Sequence, residues 1–131
     1  MSDYISDALK LAIWTAALAK IDAGGGAQLH YYTDSYAGSA QTPNPAALLG
    51  TVALPVPAGV ATVSGVELYS SSAQAQAIGV PTWARLENAL GELITDGSCA
   101  AGGVFELVLE SGSVMYPGGD ILFQGGLIGF E

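Results

Sequence analysis

After Gly24-Gly25-Gly26 the chain is cut repeatedly by Gly, Pro, Asn and Asp, and no later segment shows the spacing of a second helix. The cuts fall roughly every eight to twelve residues, the rhythm of short antiparallel strands in sandwiches and small barrels. Strand-like runs lie between them at 28–33, 48–54, 61–69, 82–87, 92–95, 104–110, 113–116, 120–124 and 127–130. Residues 28–33 place Leu29, Tyr31 and Thr33 on one face and His30 and Tyr32 on the other. Residues 82–87 set Trp83, Arg85 and Glu87 against Ala84 and Leu86. Asn88 to Gly91 then reads as a turn that makes 82–87 and 92–95 a hairpin, and Asp96-Gly97 reads as a further turn. Pro55 and Pro57 end the second strand or confine it to an edge. No helix alternates with the strands, which argues against a parallel α/β sheet.

The first twenty residues carry a different period. Ile5, Leu9, Ile13, Ala16, Ala17 and Ile21 recur at spacings of three and four, and Leu11, Trp14 and Leu18 add a second stripe. Ser2 or Ser6 can cap this helix, Asp3 and Asp7 suit its N-terminus, and Lys20 suits its last turn. A helix apolar over more than one face is expected to pack on two things at once. The predicted fold is therefore mainly β: an N-terminal helix (1–23) joined to an antiparallel, jelly-roll-like β-sandwich (27–131), forming one domain.

Charge is scarce. Only 11% of the 131 residues are charged, against roughly 25% in an average soluble protein. Mean hydropathy is +0.43. Between Asp34 and Arg85 the one charged residue is Glu67. Strands so free of charge invite edge-to-edge sticking unless something covers them. A partner that covers part of the apolar surface resolves the difficulty.

The charge that exists is nearly all negative. Twelve acids oppose Lys10, Lys20 and Arg85, for a net −9. Three cations build no basic patch, so nucleic acid is excluded as a direct partner and anionic membrane is repelled. The longest apolar stretch, 9–18, contains Lys10 and Thr15 and falls short of the ~20 residues of a membrane span. Asp3 and Asp7, with no early basic cluster, do not read as a secretory signal, so a cytoplasmic origin is expected. Cys99 is the one cysteine and is expected to pack as a small apolar residue.

Candidate chemistry is thin, and a non-enzyme without cofactors is expected. His30, Asp34 and Ser35 lie along one strand and its exit, where side chains diverge instead of converging as a catalytic triad must. The triple glycine follows a helix and lacks the Gly-Lys-Ser/Thr of a phosphate loop. One cysteine and one histidine cannot supply a zinc site, and Asp96 and Asp120 lack the spacing of a calcium loop. Glu87 and Glu92, across a turn, read as solvated hairpin charges and not as a glycosidase pair. Arg85, on a strand near Glu87 and Glu92, reads as one half of an ion pair at a surface or subunit contact.

Two stretches carry a family resemblance. The first holds LHYYTDSYAG, TPNPAA and LLGTVAL; the second holds WARLENALGELITDGS and FELVLESGSVMYPGGDI. Together they resemble a group of small structural proteins of tailed phages, usually encoded near the head genes. The shared pattern is "LL" before a strand, "AR" before a turn, "DG" after the next strand, and a closing alternating run that ends in glycine. It spans about two thirds of the chain and departs at 125–130, where glycines replace alternating β-branched residues. The resemblance implies a virion component, with the decoration (cement) proteins of phage heads as the nearest functional match, and it carries no catalytic motif.

The expected function is thus capsid decoration. The chain would self-associate as a homodimer or homotrimer and dock on the major capsid protein, meeting the shell in the host cytoplasm and remaining on the virion surface. The alternative is a tail-fibre module that binds carbohydrate or another receptor through its tyrosines and tryptophans. The residues expected at the interface are Trp14, Leu18, Tyr31, Tyr32, Tyr36, Leu127 and Phe130.

Overall fold

Ser6 takes an extended conformation and its hydroxyl accepts from the Leu9 N–H at 3.2 Å, satisfying one donor of the opening turn. Helix α1 (Asp7–Asp22) follows, with Asp7 in its first turn and Lys20 in its last. A computed structural model of the chain describes residues 5–36, 42–99, 103–109 and 114–129. The helix stops where Gly24 and Gly25 take φ of 89° and 108°, a region that residues with a Cβ avoid.

Ten strands come after it among the described residues: β1 (Gln28–Tyr32), β2 (Leu48–Ala53), β3 (Gly59–Ala61), β4 (Val66–Leu68), β5 (Ser71–Gln74), β6 (Trp83–Glu87), β7 (Leu93–Ser98), β8 (Leu107–Leu109), β9 (Asp120–Phe123) and β10 (Leu127–Ile128). Every pairing is antiparallel. They form one four-stranded sheet, β2-β1-β6-β7, and two three-stranded sheets, β10-β4-β3 and β5-β9-β8. The molecule is mainly β and sandwich-like, and its sheets do not close into a barrel.

The core lies between these sheets. Leu29, Tyr31, Leu49, Val52, Ala84 and Leu86 come from the inner face of the large sheet. Val66, Leu68, Phe105, Met115, Ile121 and Phe123 come from the opposite side, and Trp14 and Ile21 of α1 join them. A smaller cluster of Tyr32, Ala47 and Trp83 sits on the other face of the large sheet, with Tyr36 and Leu48 against it. Each large apolar side chain removed from water contributes about 1.5–3 kcal/mol, so these two clusters supply most of the drive to fold.

Four segments differ from the sequence reading. Residues 61–69 are not one strand: the Thr62 N–H donates to Gly65 O at 2.8 Å, and a turn there makes β3 and β4 a hairpin. Asp96-Gly97 is not a turn but the middle of β7, facing Arg85 and Ala84. Its glycine is there for closeness, since a Cβ would come 2.4 Å from Val104 Cγ1 and 2.9 Å from Phe105 Cδ2. The polar stretch 71–74 forms strand β5, held by backbone pairing to β9 although its side chains show no apolar alternation. In the stretch 113–116, Met115 makes an isolated bridge to Gly79. Among the described residues no helix is long and apolar enough to cross a membrane.

Candidate functional site

The large sheet turns a polar row outward. Its register aligns Thr51 of β2, His30 of β1, Arg85 of β6 and Asp96 of β7 in one line across all four strands. His30 Nδ1 hydrogen-bonds with Thr51 Oγ1 at 3.0 Å, and its Nε2 lies 3.2 Å from Glu87 Oε1. Arg85 donates to Asp96 through Nε at 2.8 Å and Nη2 at 2.9 Å, a two-point ion pair with 12% and 4% side-chain exposure. That hydrogen bonding raises the Arg85 pKa further. Burial lowers the His30 pKa below 6.5; Glu87 pulls the other way and Arg85 adds to the lowering. Loss of water outweighs the carboxylate, so the contact with Glu87 is to a largely neutral ring near pH 7.

The aromatics of this face close on each other. Tyr32 and Trp83 are directly opposed in register and stack at 4.6 Å between centroids, and Tyr36 stacks on the same indole at 6.0 Å. Trp83 Nε1 donates to Asp34 Oδ1 at 2.8 Å. A cavity of about 220 Å³ lies on the side of the row away from these aromatics, between Gly26, Gln28, His30, Glu87, Asn88, Ala89 and Gly91. Asn88 is spent on structure: its amide bonds Lys20 O and Glu92 Oε1, and its Oδ1 accepts from the N–H groups of Leu90 and Glu92. This ties the end of α1 to the β6–β7 hairpin. Hydrogen bonds from Lys20 and Asn88 lower the Glu92 pKa.

This geometry separates the groups weighed for catalysis. His30 is engaged by Thr51 and Glu87, whereas Asp34 faces the Trp83 indole. Glu92 serves Lys20 and Asn88. The partner of Arg85 is Asp96 and not a glutamate, because the turn at Asn88 sets β7 in the register that opposes them. Among the described residues no group of three or more His, Cys, Asp or Glu is placed to hold a metal ion.

The other distinctive surface is apolar. A groove of about 360 Å³ runs between α1 and the β3–β4 turn, lined by Ile5, Lys10, Ile13, Trp14, Val63, Ser64 and Leu127. Ile5, Val63 and Leu127 are each more than 40% exposed, and Ile13 is 36% exposed. Leu127 also borders a slot of about 210 Å³ with Thr95, Asp96, Val104, Ile128 and Gly129. The slot adjoins β7, the outer strand of the large sheet. Exposed apolar side chains gathered in a concave surface mark a docking site more often than scattered ones do.

Of the expected interface residues, Leu127 faces solvent in this groove and Trp14 forms part of its wall at 7% exposure. Tyr31 is corrected to a core residue: it is fully buried, and its hydroxyl donates to Phe105 O at 3.3 Å. Tyr32 is corrected likewise, at 6% exposure beneath its stack. Leu18 packs partly buried on the core, and Tyr36 is partly buried against Trp83, its hydroxyl donating to Asp96 O at 3.4 Å. Phe130 lies outside the described residues. Ile5, Ile13 and Val63 were missed. The first two stand in the helical stripe read from the sequence, but that pattern does not say which stripe faces the sheet; Val63, in a turn, carries no signal.

No protein-family model, curated protein or solved structure matches the chain.

Proposed function

We propose that the chain is a structural protein of a tailed-phage virion, a head decoration (cement) protein that self-associates and docks on the major capsid protein. The observation that carries this reading is the exposed apolar groove beside α1, with Ile5, Ile13, Val63 and Leu127 open to solvent. Water is excluded from such a surface at a gain of about 25 cal/mol per Å² once a partner covers it. The sequence resemblance supplies the kind of partner, and the net charge of −9 favours a basic region of a shell over the packaged genome. Repetition over a lattice makes modest individual contacts firm.

The glycan-binding alternative needs a solvent-facing aromatic platform. Trp83 is fully buried and Tyr32 nearly so, and this favours the decoration reading.

The test is co-sedimentation of the purified chain with undecorated heads assembled from the major capsid protein of the phage that carries it. Saturable binding that Val63→Glu and Leu127→Glu abolish is expected. Heads that pellet without the chain at saturating concentration would overturn the proposal.

A further inference from the structure

We infer that His30, Glu87 and Gln28 form a binding site for one divalent transition ion of the zinc and copper kind, on the outer face of the large sheet beside the β6–β7 turn. The site lies on residues that the decoration reading does not use. Register brings the three donors together: Gln28 is directly opposite Glu87 across the β1–β6 ladder, and His30, two residues on, shares their face. All three line the cavity of about 220 Å³, which leaves room beside them for water ligands. His30 Nε2 and Glu87 Oε1 are 3.2 Å apart. Ligand atoms about 2.1 Å from one ion, and set about 100° apart at it, lie roughly 3.2 Å from each other. The ion would thus take the place of the proton between ring and carboxylate without moving either strand.

A second contact suits the same role. His30 Nδ1 lies 3.0 Å from Thr51 Oγ1. With its proton on Nδ1 the ring donates to that hydroxyl, and the Nε2 lone pair faces Glu87 and the cavity. Ligating histidines are held in this way, by an acceptor on the other nitrogen that fixes ring and tautomer. The class of ion follows from the donors. One imidazole nitrogen with a carboxylate and an amide oxygen suits zinc, copper or nickel, whereas calcium and magnesium take oxygen ligands. Because Gln28 is the third donor, the set differs from a cluster of His, Cys, Asp and Glu alone, which the described residues do not form. The field favours a cation: the chain carries net −9, Arg85 opposite His30 is engaged by Asp96, and Lys20 behind Asn88 by Glu92. A bound ion would clip β1 to β6 at the end of their ladder.

His30 is the only histidine, so its imidazole resonances report on this site alone. The experiment is a zinc titration of the full chain, first freed of metal by a chelator, at near-neutral pH, followed by calorimetry and by proton NMR. One zinc per chain is expected, with the imidazole resonances shifting to completion at that same stoichiometry and with millimolar magnesium failing to compete. His30→Gln is expected to abolish the binding. Thr51→Val, which removes only the hydroxyl behind the ring, is expected to weaken it roughly 10–100-fold with unchanged circular dichroism. Zinc that binds without moving the imidazole resonances, or that magnesium displaces, would belong to the acidic surface and would overturn the site. Neither heat nor shift at millimolar zinc, or full affinity in His30→Gln, would overturn it as well. The wild-type resonances decide the matter even where a variant fails to fold. No heads enter the measurement, so its failure leaves the decoration reading untouched.

Discussion

Arg85 and Asp96 face each other across the β6–β7 ladder and close a two-point ion pair almost out of contact with water. Tyr36, arriving from the far end of β1, donates its hydroxyl to the Asp96 carbonyl and stacks on Trp83, and Arg85 lies 5.7 Å from that indole centroid. Asp96→Ala is expected to cost about 3–5 kcal/mol, the usual penalty for leaving a buried guanidinium without its carboxylate. Urea denaturation of the variant measures it. A loss below about 1 kcal/mol would show that solvent already reaches the pair.

Gly97 is held by packing and not by a turn. Gly97→Ala is expected to destabilise by about 1–3 kcal/mol, because its methyl would strike Val104 and Phe105 in a filled core. Thermal unfolding of the variant checks this, and a neutral outcome would mean that the 103–105 segment yields freely.

His30 is the only histidine, so titration near neutrality isolates it. Its folded pKa lies below 6.5, chiefly through burial. Between the folded value and 6.5 the unfolded chain therefore binds more protons. The stability at stake is fully present above 6.5 and is lost as pH falls through the folded value. The thermal midpoint is expected to drop between about pH 7 and pH 5.5, and His30→Gln to flatten that slope. A midpoint that rises on acidification would show that Glu87 governs the imidazole.

Cys99 is 8% exposed, and burial raises its thiol to about 11. At pH 8 the thiolate fraction is then on the order of one in a thousand. Labelling with a thiol reagent is expected to be slow in native buffer and to accelerate at the denaturant concentration that unfolds the chain. Rapid labelling of the native protein would contradict the burial.

The strands that sequence pattern places best are β1 and β6, because Leu29, Tyr31, Ala84 and Leu86 alternate with polar neighbours and one face meets the core. Tyr32 and Trp83 escaped that logic. They belong to the polar face by period, yet Ala47 and Tyr36, from outside the sheet, and Leu48, at the start of β2, pack against them. Strand β5 was hidden because Ser71 and Ser72 owe their place to backbone pairing with β9, which leaves no mark on side-chain type. Helix α1 was legible as a helix but not in its orientation. Both of its stripes are apolar, and the choice fell to the bulk of Trp14 and Ile21 against the β3–β4 hairpin. The groove was least legible, since Ile5, Val63 and Leu127 come from three distant segments that only tertiary structure joins.

The cations of the chain are unevenly placed. Arg85 is sealed against Asp96, and Lys10 and Lys20 both ride on α1. Asp7 and Asp22 on the same helix offset these two lysines, so the charges of α1 balance in a chain of net −9. Two such bodies repel less where balanced or uncharged segments approach than where acidic residues meet. The same asymmetry makes ionic strength a control on collision geometry: as salt shortens the reach of these fields, encounters lose their preferred orientation while the apolar contacts themselves are left intact.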